Sequence, residues 1–596
     1  MITNYTDKNK NSTRIEILKE RYLLGDKNGK IIEKPDDMFR RVAKAVSRAE
    51  EKYGRSKNEV KKFEEIFYKM MVNSRFLPNS PTLMNAGTEM GQLSACFVLP
   101  VEDSLDSIFK TLCDMAKIQQ SGGGTGFNFS RLRMKGDIVK STGGVASGPV
   151  SFMKIYDMTT DVIKQGGKRR GANMGILNFN HPDIDEFINI KNFRGNSLNS
   201  LNSLNSLRNF NISVAATDKF MNDAEENKDY MLINPGDNKP VGKVNANKIF
   251  NEICTSAWQT GDPGLIFIDE INKKHPLKQV IESTNPCGEL LLLPYEACNL
   301  GSINLTKMLK KKDERDEKYI IDWELFEKTI RNSVRFLDCV IDVNKFPLQK
   351  IKTMVLKNRK IGLGVMGFAE MLIMMKISYN SRQALKIADK TGKFLRDISI
   401  DESQKIGVEK GSFPGFKFLK NEYKNKYSAM RNATTLSIAP TGTISIIANT
   451  SSGIEPLFAI CYKREILDGR IFVEINRLFL DELIKRDLYT DELFNKILSD
   501  GNLKNVSLPA DIKKIYATAY EIPYEQHIKM QATFQKYVDN AVSKTINFPE
   551  NSSVEDVKNA YILAWKMKCK GITVYRNKSK EGQVLYPGGC CNIMTS

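Results

Sequence analysis

From residue 76 onward, short apolar runs alternate with helical stretches and glycine-rich turns. SACFVL, NFNISVAAT, GLIFID and TTLSIAP are each too short for a buried helix and too apolar for a loop. Strands of this kind between helices belong to an α/β architecture with a buried sheet. Before residue 76 the pattern is helical. Pro35-Asp36-Asp37 opens an amphipathic stretch with Met38, Phe39 and Val42 on one face, and a second helix is expected near 57–72. No linker interrupts the chain until about residue 576, so three regions are expected: 1–75 helical, 76–575 α/β, and 576–596 a tail. No apolar run approaches the about 18 to 20 residues that span a bilayer. The opening MITNYTDKNKNSTR has no signal-peptide core. The expectation is a soluble, cytoplasmic protein with no membrane partner.

Lysine and arginine exceed aspartate and glutamate by 89 − 70 = 19. Such a surplus can mark a nucleic-acid binder. Here the lysines are spread along the chain, the run Lys310–Lys312 is soon offset by acids, and no compact basic motif carries interleaved aromatics. The charge is read as a surface bias that also suits anionic small substrates, and no nucleic-acid partner is expected. The ten cysteines include no C-x-x-C, and His181, His275 and His527 are far apart. No zinc pattern and no disulfide framework follow, so no protein-held metal is expected. Most of these thiols are expected to pack as small hydrophobes.

Several motifs could bind anions or cofactors. GLGVMG, 362–367, fits G-x-G-x-x-G, but the charged VLKNRKI precedes it where a dinucleotide fold needs a buried strand. It is read as a helix start or packing motif. SGGGTGFNFSRLR, 121–133, has more glycine than a helix cap requires, which lets a ligand approach the backbone. PTGTISIIA, 440–448, offers backbone N–H groups and hydroxyls before an apolar helix start, a cradle for phosphate. KQGGKRRGAN, 164–173, is a basic, glycine-rich loop suited to sensing a nucleotide, or simply solvated. NSLNSLNSLNSL, 196–207, is a slipped triplet repeat, expected to be a surface loop.

In NPCGE, 285–289, a carboxylate stands two residues from a thiol. That charge would raise the thiol pKa, and no histidine is near in sequence, so thiolate catalysis is disfavoured. A thiyl radical is neutral and meets no such objection. Beside it Glu289 could act as a general base on a substrate hydroxyl, and Asn285 could hydrogen-bond the same hydroxyls. Cys298 could give two electrons together with a distant cysteine. Two structural thiols near a turn are the alternative reading.

NPCGE (285–289), CNLGSINL (298–305), PTGTISIIANTSSGIEP (440–456), LSACFVLP (93–100) and NSPTLMNAG (79–87) together resemble the large catalytic chain of ribonucleotide reductase, over roughly residues 15 to 580. Members that take a radical from a metal subunit relay it through a Tyr-Tyr pair. This chain has no adjacent Tyr-Tyr, and its corresponding segment is KTINFP, 544–549. That segment and the eleven-residue spacing of Cys287 and Cys298 look like the adenosylcobalamin-dependent subclass. The tail GQVLYPGGCCNIMTS does not resemble a glycyl-radical motif. The cobalamin motif D-x-H-x-x-G is also absent, as this subclass implies.

The resemblance implies a ten-stranded α/β barrel, 76–575, with Cys287 at a loop tip inside it as the thiyl radical. It implies Glu289 as base and Asn285 as hydroxyl ligand. Cys96 would be the proton donor, ending in a disulfide with Cys298. Ser80, Ala95 and Gly124 would contact the nucleoside, and Pro440, Thr441, Gly442, Thr443 and Ile444 the phosphates. Asp103, Ser104 and Arg133 would bind a deoxynucleotide effector at a homodimer interface. Lys164, Gln165 and Arg169 would lie on the loop joining effector to substrate. The substrate would be a ribonucleotide, expected as the diphosphate, and the cofactor adenosylcobalamin. An N-terminal ATP-cone is not expected, nor overall on/off control by ATP and dATP. The usual tail C-x-x-C is replaced by Cys590-Cys591, a pair that closes a strained ring on oxidation. A thioredoxin-like reductant is therefore expected to act with them or in their place. A non-catalytic nucleotide-binding protein of the same fold is the competing reading.

Overall fold

A computed structural model of the chain describes residues 13–139, 143–163, 171–192, 207–313, 316–466, 470–579 and 585–587. Ten strands share its main sheet. In chain order they are β1 (Phe76–Pro78), β2 (Cys96–Val98), β3 (Gly124–Asn128), β4 (Asn173–Asn178), β5 (Phe210–Ala216), β6 (Gly264–Phe267), β7 (Ala297–Asn304), β8 (Ile361–Met366), β9 (Thr545–Phe548) and β10 (Gly571–Arg576). Strands β2 to β6 form one parallel set. β7 and β8 are parallel to each other, as are β9 and β10. The two sets meet antiparallel, β7 on β2 and β10 on β6. β1 pairs antiparallel with β7 on the edge opposite β8.

The ring closes through an extended segment, 434–438. Leu436 bridges to Leu363 of β8, and Ile438 bridges to Val542 ahead of β9, both in parallel. Leu363 N–H donates to Thr435 O at 2.8 Å and Ile438 N–H to Ala541 O at 3.2 Å. Two parallel halves of five members each thus make a barrel. Its strands are buried along most of their length, as strands covered on both faces are, though several carry buried Asn, Ser and Thr. β7 is buried at every position.

Helices cover the ring. Trp323–Val343 begins at Asp322, whose side chain accepts from Leu325 N–H, and buries Phe326, Ile330, Val334 and Leu337 at three- and four-residue steps. It packs on β7 and β8. The N-terminal helices Pro35–Ser47 and Lys57–Val72 lie against it, with Phe67 edge-on to Phe336 at 5.0 Å. Lys310–Lys312 sit exposed on a hairpin, Leu309–Asp313 with Asp316–Ile321, which accords with a solvated charge run. No described helix is long and apolar enough to cross a membrane.

GLGVMG divides between two elements. Gly362 and Gly364 lie in β8, so this part is a strand and not a helix start. A Cβ on Gly364 would stand 2.4 Å from Ser437 O, so glycine lets segment 434–438 close the barrel. Only Gly367, at φ 77°, caps a following helix, Phe368–Met374. The repeat at 196–207 lies, Leu207 apart, outside the described residues.

Candidate functional site

A hairpin enters the barrel between β6 and β7. Ser283–Thr284 pairs with Leu291–Leu292, leaving 285–290 as its tip. Asn285 shapes that tip: its Oδ1 accepts from Leu290 N–H at 2.9 Å and its carbonyl from Gly288 N–H at 3.0 Å. Gly288 takes φ 76°, which a side chain would resist.

Strands of both halves grip this hairpin. A Cβ on Gly126 would stand 1.8 Å from Thr284 O, and one on Gly124 3.0 Å from Pro286 Cγ. The glycines of SGGGTG therefore admit the chain's own hairpin to close contact with β3. Asn211 of β5 donates to Pro286 O at 2.7 Å. On the other side, Ala541 N–H and Ser437 Oγ both donate to Glu289 O at 2.9 Å. Asn285, Cys287 and Glu289 are thus fixed by four segments that are distant in sequence, around 125, 211, 437 and 541.

Cys96 and Cys298 stand directly opposite each other where β2 and β7 pair. Such residues have Cα atoms about 4.5 to 5.5 Å apart, within disulfide span. Asn285 Nδ2 donates to Cys96 Sγ at 3.3 Å, joining this pair to the hairpin tip. Cys298 is buried, and burial pushes its thiol well above the ordinary value. It stays protonated, donating to Asn299 O at 3.4 Å and Lys360 O at 3.6 Å. Ala95, Val98, Leu290, Leu292 and Leu300 pack around the pair. Below lies the closed ion pair Lys360–Glu296, at 2.6 Å and 1% exposed on both sides.

Cys287 is exposed, onto a cavity of about 710 Å³. Pro440, Gly442, Glu455, Lys544 and Asn547 line it too. Thr441 is buried at φ 55°, and its Oγ1 accepts from Gly453 N–H at 2.8 Å, folding loop 440–453 on itself. The helix expected after Thr443 is a single turn, Ile444–Ile447. Ser80, Ala95 and Gly124 are not among the lining residues. Ala95 O accepts from Gly124 N–H at 3.0 Å, and Ser80 Oγ lies 2.7 Å from Tyr22 Oη.

Asp103 and Arg133 form an ion pair at 2.8 Å, and Ser104 caps helix Leu105–Gln120 by accepting from Ser107 N–H. Lys164, Gln165 and Arg169, like Cys590 and Cys591, lie outside the described residues. Among the described residues no three His, Cys, Asp or Glu side chains gather to hold a metal ion. Sequence reasoning missed Asn211, Ser437, Glu455, His527 and Lys544. Lys544 opens KTINFP, where no local spacing links it to Glu455 or His527.

Residues 94–575 match the family model described as ribonucleotide reductase, barrel domain, and residues 9–91 the one described as ribonucleotide reductase, all-alpha domain. The chain is 49% identical over 630 residues to the vitamin B12-dependent ribonucleoside-diphosphate reductase of Thermoplasma acidophilum, covering 96% of this chain and 80% of that protein. It is 45% identical over 575 residues to a protein of the same name from Mycobacterium tuberculosis, again covering 96% and 80%. Among solved structures, the Actinobacillus ureae class Id ribonucleotide reductase alpha subunit shares the fold. Its TM-score is 0.76 over 95% of this chain and 97% of that one, at 23% identity. The chain belongs to the ribonucleotide reductase family.

Proposed function

We propose that this chain reduces ribonucleoside diphosphates to 2′-deoxyribonucleotides by thiyl-radical chemistry, with adenosylcobalamin as the radical source. The observation that carries the reading is one constellation. Cys96 and Cys298 face each other across two strands, and Asn285 joins them to a hairpin tip whose Cys287 opens onto a large cavity. The relatives named as vitamin B12-dependent ribonucleoside-diphosphate reductases support the cofactor and the diphosphate.

The cavity suits the cofactor. At about 710 Å³ it lies in the range of small-molecule and cofactor sites, and Asn449, Gln531 and Asn547 are among its lining residues. Among the described residues no three His, Cys, Asp or Glu side chains gather there to hold a metal ion. Bound adenosylcobalamin would supply an organic radical, by homolysis of its cobalt–carbon bond, to take the hydrogen atom from the Cys287 thiol.

Cys287 then takes the 3′ hydrogen of the ribose and returns it at the end of the cycle. Buried Glu289 accepts the 3′-OH proton, and Asn285 orients the hydroxyls. Cys96 gives a proton to the departing 2′-OH, which leaves as water. Two electrons come from Cys96 and Cys298, which end as a disulfide. Cys298 enters this step as a thiol, as its burial favours. Ser80, Ala95 and Gly124 hold the nucleoside and Pro440 to Ile444 the phosphates. The barrel interior shields the radical and fixes its partners.

Asp103, Ser104 and Arg133 hold a deoxynucleoside triphosphate effector, and Lys164, Gln165 and Arg169 carry its signal. The active form is a homodimer. Exposed Leu105 and Phe109 on helix Leu105–Gln120, with Met158 and Val162 on the neighbouring helix Pro149–Val162, offer an apolar face for the second copy. The division at residues 75 and 575, with Cys590 and Cys591 on a redox tail, belongs to the same proposal. So do a thioredoxin-like reductant and a cytoplasmic setting, which suits eight described cysteines that are all unbridged.

The test is an anaerobic incubation with adenosylcobalamin, dithiothreitol and CDP or ADP, with and without dTTP and with no second protein. Deoxynucleotide should form, and Cys287→Ser should abolish turnover while keeping nucleotide binding. Activity that requires an added metal subunit would overturn the radical source. Unchanged turnover in the variant would overturn the role of Cys287.

A further inference from the structure

One charged group on the cavity wall is built unlike the closed pair Lys360–Glu296. Lys544, just ahead of β9 in sequence, is fully buried, and its ammonium reaches Glu455 Oε2 at 2.5 Å, His527 Nδ1 at 3.0 Å and Thr545 O at 3.3 Å. His527 is also buried, and its Nε2 lies 3.0 Å from Ala519 O. That carbonyl can only accept, so Nε2 carries the proton and Nδ1 receives the lysine's. Burial and the Lys544 charge hold His527 well below its ordinary value, so it stays neutral. All three ammonium protons are committed, and none is left for a ligand.

Glu455 is the outward member of this set. Its side chain is 25% exposed against 0% for Lys544, and it lines the cavity that Cys287 opens onto. Thr545 N–H donates to Oε1 at 2.8 Å and Lys544 to Oε2, so both oxygens are held and each keeps acceptor capacity. Desolvating a lysine costs several kcal/mol. A purely structural pair is expected to be closed on both sides, as Lys360–Glu296 is. Here the cation is hidden and the anion is offered to the cavity. A held carboxylate repels phosphate and accepts from uncharged N–H or O–H donors.

We propose that Glu455 is a cofactor-recognition residue: its carboxylate, oriented by Lys544 and the Thr545 N–H, accepts a hydrogen bond from an uncharged donor of the cobalamin in this cavity. The inference rests on the functional reading above. Cobalamin has two such donors, the primary amides around its corrin ring and the ribose hydroxyls of its adenosyl group.

The experiment measures retention of adenosylcobalamin and of hydroxocobalamin, which lacks the adenosyl group, by the full chain in ultrafiltration. Wild type is compared with Glu455→Gln and with Glu455→Gln/Lys544→Met, in which no lysine charge is left without its carboxylate. Melting curves and dTTP binding confirm that each variant is folded. Both variants should bind adenosylcobalamin about tenfold more weakly or worse, the scale of one hydrogen bond to a charged group. An equal loss for hydroxocobalamin assigns the donor to a corrin amide, and a loss confined to adenosylcobalamin assigns it to the ribose. Wild-type affinity for both cobalamins in a folded variant overturns the proposal. Failure of wild type to retain either cobalamin overturns the functional reading itself.

Discussion

Two buried polar clusters flank the strands β7 and β8 and answer different demands. Inside the barrel, the hairpin 285–290 is held mainly by backbone groups and glycine gaps, and a cavity opens onto it. Under helix Trp323–Val343, charge does the holding. Asp338 and Asp342 meet Arg359 and Arg431, Glu50 meets Arg335 and Lys410, and Glu409 meets Arg335 and Arg55. Asp338, Glu50 and Lys410 have fully buried side chains. This second cluster ties the N-terminal helices to the barrel wall, and its charges pair with one another, although Glu50 Oε2 is buried without a hydrogen-bond partner. Buried polarity alone therefore does not mark a site. What distinguishes the first cluster is a thiol that meets open space while the groups behind it are fixed.

The sharpest way to break this contrast is Asp338→Ala. It removes one of the two carboxylates that Arg359 and Arg431 share, Asp342 remaining, a change at the low end of the about 3 to 5 kcal/mol that breaking a buried pair costs. In a chain of 596 residues that lowers the melting temperature by about 3 °C. Turnover of the folded protein at 25 °C should stay within about twofold of wild type, because nothing in the hairpin moves. A large loss of turnover with unchanged melting would show that the ionic cluster serves the chemistry.

Gly126→Ala should do the reverse. Its Cβ would stand 1.8 Å from Thr284 O, backbone that cannot swing aside, so the hairpin must shift. Overpacking of this kind costs about 1 to 3 kcal/mol, and misplacing reacting groups by about 1 Å costs about a hundredfold in rate. Turnover is expected to drop by that factor while melting falls by only about 1 to 2 °C. Full activity in this variant would mean that the hairpin position is not critical.

The glycines also show what could be read from the chain and what could not. The α/β class followed from the short apolar runs, and the barrel from motifs that resemble a family. The odd pairing of thiol and carboxylate singled out NPCGE, which the fold places at the hairpin tip. The partner of SGGGTG was not visible, because a glycine's purpose lies in what approaches it, here a loop some 160 residues later in the chain. Segment 434–438 read as a strand, yet its role in closing the ring depends on pairing with β8 and with Val542. Lys544, Glu455 and His527 come from three separate stretches, and no local spacing announces them. Asp338 and Arg359 were silent for the same reason: burial of a charge is a property of the fold.

Glu409 offers the smallest and most graded test of the ionic cluster. Its carboxyl accepts from Arg335 at 2.5 and 3.0 Å and from Arg55 at 2.7 Å, and these bonds hold its pKa down to about 2, from an ordinary value of 4.5. A carboxylate with a depressed folded pKa stabilises the protein above its unfolded pKa, and that stability is lost as pH falls through the folded value. The window here runs from about pH 4.5 down to about 2. The group is partly open to solvent, so screening reduces its contribution to about 1 kcal/mol. Glu409→Gln should therefore lower the melting temperature at pH 7 by about 1 °C. The gap between variant and wild type should narrow steadily as pH falls below about 4.5, since the wild-type carboxylate then takes up a proton more readily in the unfolded chain than in the folded one. A gap that stays constant from pH 7 to pH 3 would mean that Glu409 contributes packing and not charge. The cluster would then end at Arg335, and the contrast with the hairpin would rest on Asp338 and Glu50 alone.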